Sequence, residues 1–451
     1  MIILVTSLQS IDLVKIKKSV TINTMKSQIY TLENGLTVLL IDTESFPTVT
    51  TMILVGAGSR YENTKNNGIA HFFEHMAFKG SKQYPSSFDI SSTIEGIGGV
   101  FNAFTAKDHT GYWVKAPGAH FETVLNVLSD MILHSLLVPE EIEREKGVIV
   151  EEINMYEDMP ARKVSDIFDE VIYDGNPLAY DIAGTRDTVM SFNKKTFTDY
   201  ISTYYHPRNA VVVVAGGLSH TALGNNNFDT YRELVEKKFS GWKTKKKKTF
   251  EQFKESQKKP NIKIVNKKTE QAHFCLGYRA FSFSDQRRHA LTLLATILGG
   301  GMSSRLFMEV RERRGLCYYV STGRELYADT GYMVTQAGVT NNKEKVNEAV
   351  KVIIEQHEQM KNADIKPQEI QKAKELLKGR LLLSLEDSYK VASLQGTRYL
   401  FEERLIFPEQ IIANIEAVTK EDIVSVAKDL FTEDRLNFAI IGPFDNGDIC
   451  I

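Results

Sequence analysis

Two stretches of this chain, 226 residues apart, follow the same plan. "FTDYISTYYHPRNAVVVVAGGL" (197–218) has its counterpart in "IVSVAKDLFTEDRLNFAIIGPF" (423–444). "VPEEIEREKGVI" (138–149) matches "IKPQEIQKAKEL" (365–376) in the same way, with Pro139 and Pro367 offset by 228. Identity between the copies is slight, but the order of elements is shared, which points to duplicated domains. A chain of 451 residues is also too long for one ordinary core.

Within the first copy, "IYTLENGLTVLLID" reads as two strands around an Asn-Gly turn. "TVTTMILVGAGS" follows as a strand, and "VFNAFTAKDHTGYWVKAP" as two more around Lys107-Asp108. "HFETVLNVLSDMILHSLL" and "VPEEIEREKGVIVEEINMYED" are helical, the second with Pro139 at a first-turn position. "NAVVVVAGGL" closes the half as an apolar strand ended by glycines. The expected fold class is α+β: two homologous domains, each an antiparallel-rich sheet packed with helices. The domains span 25–236 and 261–445, and the lysine-rich 237–260 is expected to be a solvated linker.

Bulk composition excludes several classes. A net charge of −2 and a pI near 6.6 give no sign of a nucleic-acid partner. No run approaches the roughly 18 apolar residues of a membrane span. The three cysteines (Cys275, Cys317, Cys450) are scattered and odd in number, which argues against a disulfide framework or a cysteine zinc site. A reducing compartment fits, so cytoplasmic location is the default expectation. The start, "MIILVTSLQSIDLVKIKK", is apolar until Asp12 and three lysines break it. Residues 1–24 are either a weak targeting segment or an extension ahead of a start at Met25.

"HFFEHMAFKG" (71–80) carries the chemistry. Residues four apart stack on one helix face, so His71 and His75 can reach a single ion. Glu74, beside His75 but off the line of the two ligands, suits a general base acting on water. Catalytic zinc usually takes a third protein ligand, and Glu151 and Glu152 are the candidates. At 100° per residue, Glu152 shares the buried stripe of Glu145, Ile149 and Tyr156, whereas Glu151 turns toward Arg144, Gly147 and Met155. A buried carboxylate needs a partner, which selects Glu152 as the ligand. Glu145, two turns earlier on that face, supports the ligands from behind. The second copy lacks the histidine pair, so only the first can hold the metal.

These residues resemble the inverted-zincin peptidases of the insulinase and mitochondrial-processing-peptidase type, over roughly Met25 to Phe444. His71-Phe72-Phe73-Glu74-His75 is similar to the family's His-x-x-Glu-His. Glu152 stands 152 − 75 = 77 positions after His75, as the family's third ligand does, and Glu145 matches its companion glutamate. "NAFTAKDHTGY" resembles the strand whose Asn-Ala pair binds the substrate main chain, here Asn102 and Ala103. "RERRGLCYYV" is similar to the family's Arg and Tyr segment, which assigns Arg311 and Tyr318 to the scissile carbonyl and its oxyanion.

The resemblance implies a chain that forms half of a clamshell around a closed chamber. It further implies one zinc ion per chain and hydrolysis of peptides or unfolded polypeptides by an endopeptidase. The partner would be a second copy or a related subunit, with no nucleic acid and no membrane involved. The alternative is a non-catalytic scaffold or partner subunit of a related peptidase complex. A scaffold has no reason to keep Glu74.

Overall fold

A computed structural model describes residues 25–221, 223 and 228–451. The apolar start at 1–24 lies outside the described residues. The first half begins with strands β1 (Lys26–Thr31), β2 (Thr37–Asp42) and β3 (Thr48–Val55), then helices α1 (Ile69–Ala77) and α2 (Ser87–Glu95). Strands β4 (Val100–Thr105) and β5 (Thr110–Pro117) follow, with helices α3 (Phe121–Leu133), α4 (Pro139–Glu157) and α5 (Pro160–Ile172). The half ends with α6 (Arg186–Ser191), α7 (Lys194–Tyr204), β6 (Ala210–Gly216) and α8 (Asp229–Phe239).

The second half opens with β7 (Asn261–Asn266), β8 (Gln271–Ala280) and α9 (Arg288–Gly299). Next come β9 (Cys317–Leu326), β10 (Gly331–Thr340), α10 (Lys343–Lys361) and α11 (Pro367–Ser384). It closes with α12 (Ser388–Glu402), α13 (Pro408–Ala417), α14 (Lys420–Leu430) and β11 (Leu436–Gly442). No helix among the described residues is long and apolar enough to cross a membrane.

The sheets show the duplication strand by strand. The first has the order β1-β2-β6-β3-β5-β4 and the second β7-β11-β8-β10-β9, so each strand after β1 has a counterpart. The β2/β6 and β7/β11 pairs are parallel, and every other pair is antiparallel. The α7–β6 and α14–β11 units begin and end 226 positions apart, as the sequence match requires. By this correspondence β4 and β9 are equivalent edge strands, and α9 takes the place of α1. Where α1 carries the histidine pair, α9 buries leucines (Leu291, Leu293, Leu294, Leu298) and has a single histidine, His289.

Each half covers one face of the other's sheet. From the first half, α5 sets Val164, Ile167, Phe168 and Val171 against Cys275, Tyr332, Ala439 and Ile441 of the second sheet. From the second, α12 sets Val391 and Ala392 against Leu39, Met52, Leu54, Val211 and Val213 of the first. Two glycines permit the close approach. A Cβ on Gly396 of α12 would lie 2.5 Å from Leu54, and one on Gly277 of β8 would lie 2.8 Å from the Phe168 ring. The halves therefore share their apolar cores, and neither sheet is closed by its own sequence alone.

A buried ion cluster ties the same junction. Arg60, 1% exposed, pairs with Asp108 at 2.8 Å within its own half and with Asp329 of the second half at 2.8 Å. Asp108 also accepts from the Ala328 backbone N–H at 3.0 Å. The expected linker, 237–260, is exposed over most of its length and anchored to this junction at a few side chains. Residues 237–239 are the end of α8, and 243–249 is the longest exposed run. Beyond it, the Phe250 ring sits 3.7 Å from the Arg60 guanidinium carbon, Phe253 packs edge-on to Tyr173, and Glu255 pairs with Arg279 at 2.6 Å. Phe250 and Phe253, half-buried, are the apolar anchors of an otherwise exposed charged stretch.

Candidate metal centre

The metal helix is fixed at its N-terminus by a buried carboxylate. Glu62 accepts from the backbone N–H of Gly68 at 2.7 Å and of Ala70 at 2.8 Å, and from Asn67 Nδ2 at 3.0 Å. The first N–H groups of a helix lack intrahelical partners, so this cap satisfies donors that would otherwise be stranded. Burial lifts Glu62 to about 8 in spite of those donors. Gly68 supports the entry with φ of 95°, a conformation that favours glycine. Ile69, Ala70, Phe72, Phe73, Met76 and Ala77 are buried, which turns His71, Glu74 and His75 to the opposite side.

Among the described residues, His71, His75 and Glu152 are the one group of three potential ligand side chains that converges, with ligand atoms within 4.8 Å of one another. His71 Nε2 lies 3.7 Å and His75 Nε2 3.5 Å from Glu152 Oε2. Tetrahedral ligands at roughly 2.0–2.1 Å from zinc stand about 3.3–3.4 Å apart. The donor set, two imidazoles and a carboxylate, is also one that catalytic zinc uses. These residues fit the ion.

Each ligand but one is held from behind. His75 Nδ1 donates to Glu145 Oε1 at 2.9 Å, which leaves Nε2 free for the metal, and Lys79 pairs with Glu145 at 2.5 Å. Burial would raise Glu145, but its hydrogen bonds to His75 and Lys79 outweigh that and hold it low. Burial works against a charged His75, yet the bond to Glu145 and the charge of Glu152 raise it. His71 is pushed down to about 4 by burial and by His75, so it stands ready as a neutral ligand. Its Nδ1 is buried without a hydrogen-bond partner. Glu152 receives a hydrogen bond from Tyr156 OH to Oε1 at 2.9 Å, leaving Oε2 toward the histidines. Glu151 is exposed, and its contact is with Asn154.

Glu74 lies near enough to His75 and Glu152 for their charges to act on it. Thr105 Oγ1 donates to its Oε2 at 2.6 Å, and burial raises its pKa against that bond. Thr105 ends β4, the free edge of the first sheet, which also carries Asn102 and Ala103. The Ala103 N–H is taken by Asn102 Oδ1 at 2.8 Å, so it points away from β5 to the open edge. An extended peptide can add to such an edge.

Arg311 and Tyr318 stand elsewhere. Arg311 sits in a π-helical turn (Phe307–Glu312), over the Phe307 ring at 4.6 Å and 5.9 Å from the Tyr318 ring. Tyr318 is on β9 and 73% exposed. Neither contacts His71, Glu74, His75 or Glu152 of its own chain. The sequence reading missed three supports. Tyr156 is signalled by its i+4 spacing from Glu152 and Thr105 by sharing β4 with Ala103, whereas Glu62, in a loop, has no local signal.

A duplicated α+β unit with His71, His75 and Glu152 converging beside Glu74 in one copy defines an inverted-zincin metallopeptidase. Comparisons with known proteins agree. The profile for insulinase (peptidase family M16) matches residues 37–186, and that for the peptidase M16 inactive domain matches 191–377. An uncharacterized zinc protease of Bacillus subtilis is 36% identical over 92% of this chain and 98% of its own length. Another, of Streptomyces coelicolor, is 33% identical over 92% and 89%. The crystal structure of a protease from Helicobacter pylori superposes with a TM-score of 0.85 at 25% identity, covering 93% of this chain and all of that one. The chain belongs to the insulinase (M16) family of peptidases.

Proposed function

We propose that this chain is a zinc-dependent endopeptidase acting on peptides or unfolded polypeptides inside a closed chamber. The observation that carries this reading is the convergence of His71, His75 and Glu152 at ligand spacing, with Glu74 beside them. Bound once per chain by those three residues, zinc would supply Lewis acidity to water and to the scissile carbonyl. The chain's own groups do the rest. The β4 edge, through Asn102 and Ala103, aligns the substrate as an added strand. Glu74, held by Thr105, accepts the proton of the attacking water and returns it to the leaving amine.

Arg311 and Tyr318 serve as donors to the developing oxyanion in the site of a second subunit, another copy or a related chain. What supports a trans arrangement is that they reach no part of the metal centre in their own chain. Incubation with a diverse peptide pool, with mass-spectrometric mapping of new termini, tests the activity. Chelator-sensitive internal cleavage is expected, and its absence from zinc-loaded protein would overturn the reading. Mixing Glu74→Gln with Arg311→Ala/Tyr318→Phe tests the partner. Subunit exchange between two copies should restore activity, and exchange without recovery argues against homodimeric completion.

A further inference from the structure

At the junction of α9, α12 and β9, guanidiniums outnumber the carboxylates that face them. Arg288 Nη1 donates to Glu402 Oε1 at 2.6 Å, while Arg398 Nη1 at 2.6 Å and Arg404 Nε at 3.0 Å both donate to Oε2. Arg324, on β9, donates through Nε to Thr292 Oγ1 at 2.6 Å. Its terminal nitrogens bond to no protein group among the described residues. Glu325, next along the strand, acts on Arg324 by its charge but belongs to the opposite face of β9, where Asp169 acts on it. Four guanidiniums therefore gather around one carboxylate, Glu402, and three of them bond to it.

The excess is buried and partly unpaired. Arg288 is 4% and Arg398 7% exposed, and Arg288 Nη2 and Arg398 Nε are buried without a hydrogen-bond partner among the described residues. Both guanidiniums lie over the Phe283 ring, at 5.4 and 5.3 Å, which gives them an apolar wall and no counter-charge. His289 offers none either. Burial and its arginine neighbours push it down to about 4, so it stays neutral, and its Nε2 is also unpartnered. Burial, reinforced by the other arginines, holds Arg324 and Arg398 below the usual arginine range even with Glu325 and Glu402 present. Buried cationic donors without acceptors are costly. Arg324 is half-buried and the Arg404 side chain 56% exposed, so the cluster opens to solvent on their side.

We propose that this junction is a binding site for a doubly charged tetrahedral oxyanion, phosphate or a phosphoryl group, held by Arg324, Arg288 and Arg398. A guanidinium fork presents paired N–H donors that match phosphate oxygens, and a dianion offsets positive charge that Glu402 alone leaves unbalanced. The site shares no residue with the metal centre, so it stands or falls independently of the peptidase reading.

The test uses the full-length, zinc-free chain, so that phosphate acting on zinc does not contribute. Its thermal midpoint is followed against inorganic phosphate, with ionic strength held constant by chloride. Wild type should show a saturable rise. Arg324→Gln, a half-buried position, should fold normally and weaken the apparent affinity by roughly tenfold or more. Arg324→Lys, which keeps the charge but loses the fork, gives a second variant should the first unfold and should weaken affinity as well, and isothermal titration with phosphate reads the binding directly. Phosphate also stabilises proteins without binding a site, and that effect would persist unchanged in both variants. Equal responses in wild type and variants, or no response beyond chloride, would overturn the proposal. Competition by O-phosphoserine would assign the site to phosphoryl groups on larger molecules. Failure of O-phosphoserine to compete would assign it to free phosphate.

Discussion

Tyr156→Phe should weaken zinc binding without disturbing the fold. The hydroxyl donates to Glu152 Oε1 at 2.9 Å, while Glu152 Oε2 is the oxygen 3.5 and 3.7 Å from the histidines. Removing the hydroxyl frees the carboxylate to rotate away from the ligand geometry. A hydrogen bond to a charged acceptor contributes about 1.5–3 kcal/mol, and at about 1.4 kcal/mol per decade this spans roughly 10- to 100-fold in affinity. The Glu152 side chain is 22% exposed, so water replaces part of the lost bond. The expected loss is thus near the lower end, about tenfold. The ring stays, and with it the stacking of Arg162, 5.3 Å away. Competition against a chromophoric zinc chelator at fixed pH measures the change, with circular dichroism confirming the fold. A zinc affinity within twofold of wild type would refute the idea that Tyr156 orients the ligand.

Three further outcomes follow from other parts of the molecule. Glu152→Ala should strip zinc from the purified protein, while Glu151→Ala should leave metal content unchanged; the reverse would mean that the wrong carboxylate was assigned. Arg60→Leu leaves Asp108 and Asp329 without their cation at the junction of the halves. It should cost about 3 kcal/mol, toward the low end for a broken buried pair because Asp329 is 17% exposed. Denaturant unfolding with unchanged stability would contradict the clamp. His357 stacks on Phe431 and is pushed down to about 3 by burial. The unfolded chain then binds a proton near pH 6.5 that the folded chain refuses, so stability present above that pH is lost as pH falls toward 3. In zinc-free protein, His357→Leu should flatten this acid loss, and an unchanged pH profile of the thermal midpoint would rule His357 out as its source.

Much of the site was legible because its chemistry is local. Four-residue spacing puts His71 and His75 on one face, and 100° increments separate Glu152 from Glu151 some 80 positions later. The 226-residue repeat likewise anticipated the paired α7–β6 and α14–β11 units. The exchange of α5 and α12 between sheets was not legible. Val164, Ile167, Phe168 and Val171 mark a helix with an apolar face, but periodicity does not say which sheet that face covers. Phe250 and Phe253 were hidden by the lysines before them, since composition averages over a segment whose two ends behave differently. Thr105 is one hydroxyl in a strand, and only the fold brings it to Glu74. The place of Arg311 and Tyr318, away from the metal centre of their own chain, is likewise set by the fold and not by periodicity.

The central claim is that Glu74 acts as the base beside a zinc held by His71, His75 and Glu152. Glu74→Gln keeps the three ligands and the size of the side chain but cannot accept a proton. Metal content and peptide cleavage should be measured on the same preparation, one by elemental analysis and the other by mass-spectrometric mapping of new termini. The expected result is one zinc per chain with internal cleavage lost. A Glu74→Gln protein that retains zinc and cleaves at the wild-type rate would contradict the mechanism.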